Sequence, residues 1–198
     1  MEYQSTAPLT QIEKEEIRKK TASTLLYVAI GSMVMLFAGL TSAYLVRQAT
    51  GHWLQFSLPQ SFYFSTAVIM LSSLTLNWGY LASKKDNQKT ATNALLLTLI
   101  LATLFIVFQF MGWNNLVEQK VFFAGKESNA AGSFMYVLTG LHLAHFFGGY
   151  IYLVMVLVRS KKGLYSSTSY LDLKLCSIYW HFLDILWIYL FLFLLFIR

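Results

Sequence analysis

The chain has 198 residues, of which 57% are hydrophobic, 17% aromatic and only 12% charged, with a mean hydropathy of +0.54. An average soluble domain carries about a quarter charged residues and needs them to cover its surface, so the composition excludes most water-soluble folds and makes lipid the solvent. A net charge of +6 would suit a nucleic-acid binder, but basic residues also gather in the cytoplasmic loops of membrane chains, and no nucleic-acid partner is expected.

In chain order, residues 1–22 are polar, with Glu13, Glu15, Glu16, Arg18, Lys19 and Lys20 and no apolar run of signal-peptide type. They are expected to form a cytoplasmic N-terminal tail. A bilayer core about 30 Å thick takes roughly 20 apolar residues, and five stretches meet that length: about 23–46, 62–82, 91–113, 133–158 and 173–197. Lys84-Lys85-Asp86-Asn87 closes the second and Arg159-Ser160-Lys161-Lys162-Gly163 the fourth, while the stretch from Gly125 to Gly132 divides the third from the fourth. Two prolines, Pro8 and Pro59, leave these stretches free of helix breakers. The expected fold is all-α, an integral bundle of five transmembrane helices forming one domain over residues 23–198.

Basic residues orient it. Lys14, Arg18, Lys19, Lys20, Lys84, Lys85, Lys89, Arg159, Lys161, Lys162 and Lys174 fall on one side, against Arg47, Lys120, Lys126 and Arg198 on the other. The N-terminus is therefore expected in the cytoplasm and the C-terminus opposite. Trp53, Trp78 and Trp113 lie near span ends, as interfacial aromatics do. The lone Cys176 has no partner for an intrachain disulfide, and zinc spacing, phosphate loops and nucleophile elbows are absent.

Lipid gives helices no hydrophobic reason to associate, so small residues must let backbones approach. Gly140, Ala144 and Gly148 form such a stripe on the fourth span and are expected to serve helix packing, as are Gly31, Ala38, Gly39, Ser42 and Ala43 on the first. Ser72, Ser73 and Thr75 of the second span have hydroxyls free to bond their own helix or a neighbour. The last span is bulky on every face from Leu186 to Phe196, which suits lipid or a partner subunit.

Ionisable groups at bilayer depth need a reason. His142 and His145 lie on the fourth span and His181 and Asp184 on the fifth, each pair spaced i, i+3 on one helix face. Gln109 and Asn93 lie in the third span. Three readings compete. The histidines could ligate haem, as a b-type membrane cytochrome using His142, His145 and His181 would, but antiparallel helices put His145 and His181 about 10 Å apart in depth. A stand-alone proton-coupled transporter would use Asp184 and the histidines as a relay, although Asp184 is the only acid in the five spans. The favoured reading is a structural cluster joining the last two helices, with the Asp184 carboxylate bonded to an imidazole.

The run Tyr179-Trp180-His181-Phe182-Leu183-Asp184-Ile185-Leu186-Trp187 resembles the terminal-helix signature of subunit III of the haem-copper oxidases. Thr139-Gly140-Leu141-His142-Leu143-Ala144-His145, with Gly149 following, is similar to that family's preceding helix, and Leu36-Phe37-Ala38-Gly39, Pro59 and Ser72, Ser73 and Thr75 fit in order. Five spans resemble the compact bacterial form, over about residues 20–198. The resemblance implies a non-catalytic subunit with no catalytic centre, haem or copper of its own. It implies bound phospholipids and a structural role for His142, His145, Trp180, His181 and Asp184. The expected partners are the catalytic haem-copper subunit I, other oxidase subunits and, beyond them, a respiratory supercomplex. That complex reduces dioxygen to water with proton pumping, fed by cytochrome c or quinol, and the implied location is the bacterial inner membrane, multi-pass. Two family acids are absent, Met33 following Ser32 and Gly112 standing three residues after Gln109, so no proton-uptake role carries over to those positions.

Overall fold

The computed structural model describes residues 10–51, 53–125, 128–163, 165 and 170–197. Five α-helices account for nearly all of them: α1 (Gln11–Gln48), α2 (Gln60–Lys84), α3 (Gln88–Glu118), α4 (Ala130–Lys161) and α5 (Leu171–Phe196). Four contain stretches long and apolar enough to cross a bilayer: Glu16–Gln48, Gln88–Glu118, Ala130–Lys161 and Leu171–Phe196. The chain is an all-α, multi-pass membrane protein.

Local chemistry sets the helix ends. α1 begins at Gln11, well before the apolar run, because Thr10 and Glu13 form a capping box: Thr10 Oγ1 accepts from the Glu13 amide at 3.3 Å, and the Thr10 amide donates to Glu13 Oε2 at 2.8 Å. Those bonds from Thr10 hold the Glu13 carboxyl below its ordinary range. Pro59, with φ near −57°, precedes the first residue of α2. The side chains of Asn87 and Asn129 accept from the backbone amides of Thr90 and Ala131 and so cap α3 and α4. Gly163, at φ +68°, turns the chain after α4.

α2 is the helix that falls short on hydropathy. It carries Ser61, Ser65, Thr66, Ser72, Ser73 and Thr75 within 25 residues, yet most of these hydroxyls are satisfied locally. Ser65 and Thr66 donate to the Phe62 carbonyl, Ser72 to Ile69 and Thr75 to Ser72. A donor spent on its own helix costs little in an apolar surround.

α2 and α3 form the tightest pair. At one end Gly79 lets α3 approach, where an added Cβ would lie 3.3 Å from that of Ala94; at the other, Gly112 of α3 takes the face of the Phe62 ring. Hydrogen bonds Gln109–Ser65 and Asn115–Ser61 join the same two helices. α5 is the hub, packed on α4, α2 and α1. Its Trp180, Leu183, Trp187, Leu190 and Leu194 are all buried. The bulky end of this helix therefore supplies much of the bundle's own core, and only residues such as Ile185, Leu192 and Phe196 stay exposed.

Among the helices, α1 packs only on α4 and α5. Its fixings lie near its two ends. Thr41 meets the Tyr189 hydroxyl at 3.0 Å, Gln48 donates to the Ile197 carbonyl, and the Tyr44 ring lies edge-on to Trp53, Phe134 and Phe193. At the opposite end Asp172 pairs with Arg159 and with Arg18, 3.6 Å away. Between them, Val28, Val34 and Met35 are exposed.

The stripe Gly140-Ala144-Gly148 is not where helices of this chain meet most closely. Ala144 and Gly148 are exposed and Gly140 is only half-buried. The close approach on α4 is one residue round the helix, at Gly149, where an added Cβ would lie 3.0 Å from Leu183 and 3.1 Å from the Tyr179 ring. Spacing alone finds a small-residue stripe, but which face a helix buries depends on its neighbours.

Gly112→Ala should destabilise the bundle by about 1–3 kcal/mol, the usual cost of overpacking, because its methyl group would fall on the Phe62 ring 2.8 Å from Cζ. Gly31→Ala, with nothing within 4 Å, should be neutral within about 0.5 kcal/mol. Denaturant titration of both variants in detergent micelles checks the contrast.

Candidate functional site

The polar residues of α4 and α5 are built into a seam that also involves α2 and α3. A serine or threonine that donates to a carbonyl of its own helix is left with lone pairs and no free proton. It is then an acceptor aimed at whatever packs beside it. An indole N–H is donor only, so tryptophan is its natural partner.

The structure repeats this pairing. Thr66 donates to the Phe62 carbonyl at 2.7 Å and accepts from Trp187 Nε1 at 3.0 Å. Ser72 donates to Ile69 and accepts from Trp180 Nε1 at 3.1 Å. Because α2 and α5 run antiparallel, Thr66 meets Trp187 near one level and Ser72 meets Trp180 two turns along. On the α3–α4 contact Thr139 donates to Met135 and accepts from Trp113 Nε1 at 3.0 Å. Ser65, bonded back to Phe62, accepts from the Gln109 amide at 3.1 Å.

Ser73 breaks the pattern. Among the described residues it makes no bond to its own helix, and its hydroxyl shares a 2.5 Å hydrogen bond with His181 Nδ1. The Asp184 carboxyl, one turn further along α5, is buried. Neither oxygen of Asp184 has a hydrogen-bond partner of good geometry among the described residues. The expected Asp184–imidazole bond is thus not formed, and His181 pairs with a serine of α2 instead. His181 turns toward α2 and leaves Asp184 on the buried side of its own helix.

The other two histidines go elsewhere. His142 is buried against aromatic rings, 5.1 Å from Trp187 and 6.2 Å from Phe105 between centroids, and neither nitrogen has a partner among the described residues. His145 sets Nδ1 2.7 Å from the Leu141 carbonyl. Since a carbonyl only accepts, Nδ1 carries the proton. Its ring lies edge-on to Phe37 of α1 at 5.9 Å. The three imidazoles address α2, α3 with α5, and α1, and do not converge on a common point. Among the described residues no group of three or more His, Cys, Asp or Glu is placed to hold a metal ion. The contact between α4 and α5 is carried instead by Tyr179, whose hydroxyl donates to the His145 carbonyl at 3.1 Å, and by Phe146 against Trp180.

The sequence offers Ser72 and Ser73 as hydroxyls for their own helix or a neighbour, and Ser72 does both while Ser73 bonds across to α5; Thr66 is not singled out, and Thr139 enters only as part of a quoted run. Trp187, which touches Phe62, Phe105 and His142, stood inside the quoted terminal-helix run but was not singled out. The usable signal was the presence of buried indoles in a chain with many back-bonding hydroxyls. Asn93 lies near the start of α3 and is exposed.

A double-mutant cycle on Thr66→Val and Trp187→Phe, read by unfolding in micelles, should return a coupling of about 0.6 kcal/mol, the average for hydrogen bonds between membrane helices. Coupling near zero would mean that the 3.0 Å contact carries no net stability.

Comparison with known proteins places the bundle in a family. The family model described as Cytochrome c oxidase subunit III matches residues 25–197. The chain is 32% identical over 179 residues to a probable cytochrome c oxidase subunit 3 of Nocardia farcinica, covering 85% of this chain and 84% of that protein. With the cytochrome c oxidase subunit 3 of Corynebacterium diphtheriae it shares 29% identity over 185 residues, covering 86% and 88%. A probable cytochrome c oxidase subunit 3 of Rickettsia felis is 31% identical over 133 residues, which are 66% of this chain but 46% of that longer protein. With a match that takes in all but the first part of α1 and similarity that extends over most of two bacterial relatives, the chain belongs to the cytochrome c oxidase subunit III family.

Proposed function

We propose that the chain is a non-catalytic subunit III of a haem-copper respiratory oxidase, which stabilises the catalytic subunit and holds phospholipids. The observation that carries this reading is the combination of family membership with a polar seam whose hydroxyls, indoles and imidazoles are committed to helix contacts. Haem and copper belong to the partner subunits in this account, and the complex reduces dioxygen to water with proton pumping, fed by cytochrome c or quinol. His142, His145, Trp180, His181 and Asp184 act structurally.

In the same account all five helices cross a bacterial inner membrane. α2, 25 residues long, is long enough at 1.5 Å per residue, and its hydroxyls are paid for by back-bonding. The polar ends carrying Lys84, Lys85, Lys89, Lys161 and Lys162 face the cytoplasm with the N-terminus, and the C-terminus lies opposite. Residues 1–22 form the cytoplasmic tail, whose later part continues into α1, and residues 23–198 form one membrane domain. The exposed Ala144 and Gly148 and the apolar outer face of α1 offer surface to subunit I or other oxidase subunits, and through them to a respiratory supercomplex.

Mild-detergent purification followed by an absorption spectrum tests the reading. The chain should co-elute with a larger haem-bearing partner and show no haem bands once separated from it. Haem retained by the isolated chain would overturn the proposal in favour of a membrane cytochrome, and pH-driven solute uptake by the chain alone in proteoliposomes would favour a transporter. His181→Ala should weaken assembly with the haem-bearing partner by roughly 1–3 kcal/mol, since it leaves the Ser73 hydroxyl without its partner. Co-purification yield across a detergent series measures it.

A further inference from the structure

Gln109 of α3 and His142 of α4 are polar side chains of the bundle interior, each only 1% exposed, and they lie at one level. Gln109 stands between Phe105 and Trp113 along α3, and His142 between Thr139 and Phe146 along α4. Trp113 bonds Thr139 at 3.0 Å, and the Phe105 ring lies 4.7 Å from that of Phe146 between centroids. The two helices therefore run antiparallel, and both residues fall between the same pair of contacts. Phe105, one turn from Gln109, also lies against the His142 ring at 6.2 Å.

Donor and acceptor accounting sets what each group still needs. Ser65 gives its proton to the Phe62 carbonyl at 2.9 Å, so only the amide nitrogen of Gln109 can bond it, and Nε2 does so at 3.1 Å. That fixes the orientation of the amide and leaves Oε1 in need of a donor, which no described residue supplies. A neutral imidazole has one N–H and one lone pair, and neither nitrogen of His142 has a partner among the described residues. The neighbouring donors are spent: Trp113 and Trp187 on Thr139 and Thr66, and Thr139 on the Met135 carbonyl. Gln109 thus lacks a donor beside a histidine that has one unused, yet the two side chains do not bond directly.

A buried donor and a buried acceptor left unpaired both cost stability, and a water molecule that accepts from one and donates to the other recovers it. One oxygen and one nitrogen are too few for a metal ion, and among the described residues no group of three or more His, Cys, Asp or Glu is placed to hold one. We propose that a single water molecule is bound between these side chains, accepting from an N–H of His142 and donating to Gln109 Oε1. It joins α3 to α4 inside the bundle, beside Trp187 of α5, whose ring lies 5.1 Å from that of His142. Through Gln109 and Ser65 the same link reaches α2. The proposal rests on the structural role given above to His142 and names the ligand through which that role is exercised.

Cryo-EM of the purified complex, at a resolution that shows ordered solvent, tests it. A solvent peak should stand about 2.7–3.2 Å from Gln109 Oε1 and from one nitrogen of His142. His142→Phe and Gln109→Met should each remove that peak. Unfolding in micelles gives a second readout. His142→Phe should lower the folding equilibrium constant about tenfold in the wild-type background, because it strands Gln109 Oε1, but by no more than about threefold when Gln109→Met is already present. Equal losses in the two backgrounds would overturn the bridge. So would a map with both side chains ordered and no peak between them, a peak touching only one of them, or a direct Gln109–His142 bond. The wild-type map decides the matter even where a variant fails to fold. Whether the partner carries haem enters neither readout, so failure of the oxidase-subunit reading stays distinguishable from failure of this one.

Discussion

The bundle depends on how hydroxyls are satisfied where there is no water. A serine or threonine in a membrane helix donates its proton to a carbonyl three or four residues back, and it then offers only lone pairs to its neighbours. The chain answers with donors: the indoles of Trp113, Trp180 and Trp187, which have no acceptor atom, and the Nε2 of Gln109. The tyrosine hydroxyls of Tyr150 and Tyr189 meet Thr103 and Thr41, each bonded back to its own helix, in the same sense. Each bond is worth little alone, but together they fix the rotation of each helix about its axis. Apolar packing against lipid-like side chains cannot do that by itself.

From this constraint the rest of the architecture follows. α2 tolerates its many hydroxyls because they are acceptors for α3 and α5, and those two helices therefore pack on it. α5, bearing two of the three indoles, becomes the hub. α4 joins through Trp113–Thr139 and Tyr179–His145 and brings His142 into the aromatic cluster around Trp187. α1 has few such contacts, with polar fixings at Thr41, Gln48 and Arg18 and ring contacts at Phe37 and Tyr44, and many of its other residues are exposed. Ser73, which among the described residues makes no side-chain bond to its own helix, pairs with His181 of α5 instead.

The helices were legible in the sequence because span length and charge boundaries are local properties. Lys84 and Lys161 end α2 and α4 close to where the apolar runs stop. α1 was the exception. Its start at Gln11 is set by Thr10 and Glu13, a capping signal that hydropathy does not register. The face on which each helix packs was less legible. Gly140, Ala144 and Gly148 satisfy the spacing of a packing stripe, yet the neighbours of α4 take the side bearing Leu138, His142 and Gly149, which the i, i+3 placement of the histidines does indicate. Partner identity was the least legible. Nothing local to His181 distinguishes Asp184 from Ser73 as its partner, because the choice depends on the register of α2 against α5. The most specific family signature legible in the sequence was a short run of α5, whose Trp180 and Trp187 prove to be donors in the seam.

The central claim is that the intramembrane polar groups hold the subunit together and leave the chemistry to its partners. Dioxygen consumption per haem, measured on assembled complex carrying Ser72→Ala with Ser73→Ala, tests it most directly. The account predicts a lower yield of assembled complex with an initial turnover per haem within about twofold of wild type. Full assembly with turnover per haem reduced tenfold or more would contradict it, because the seam would then take part in the reaction itself.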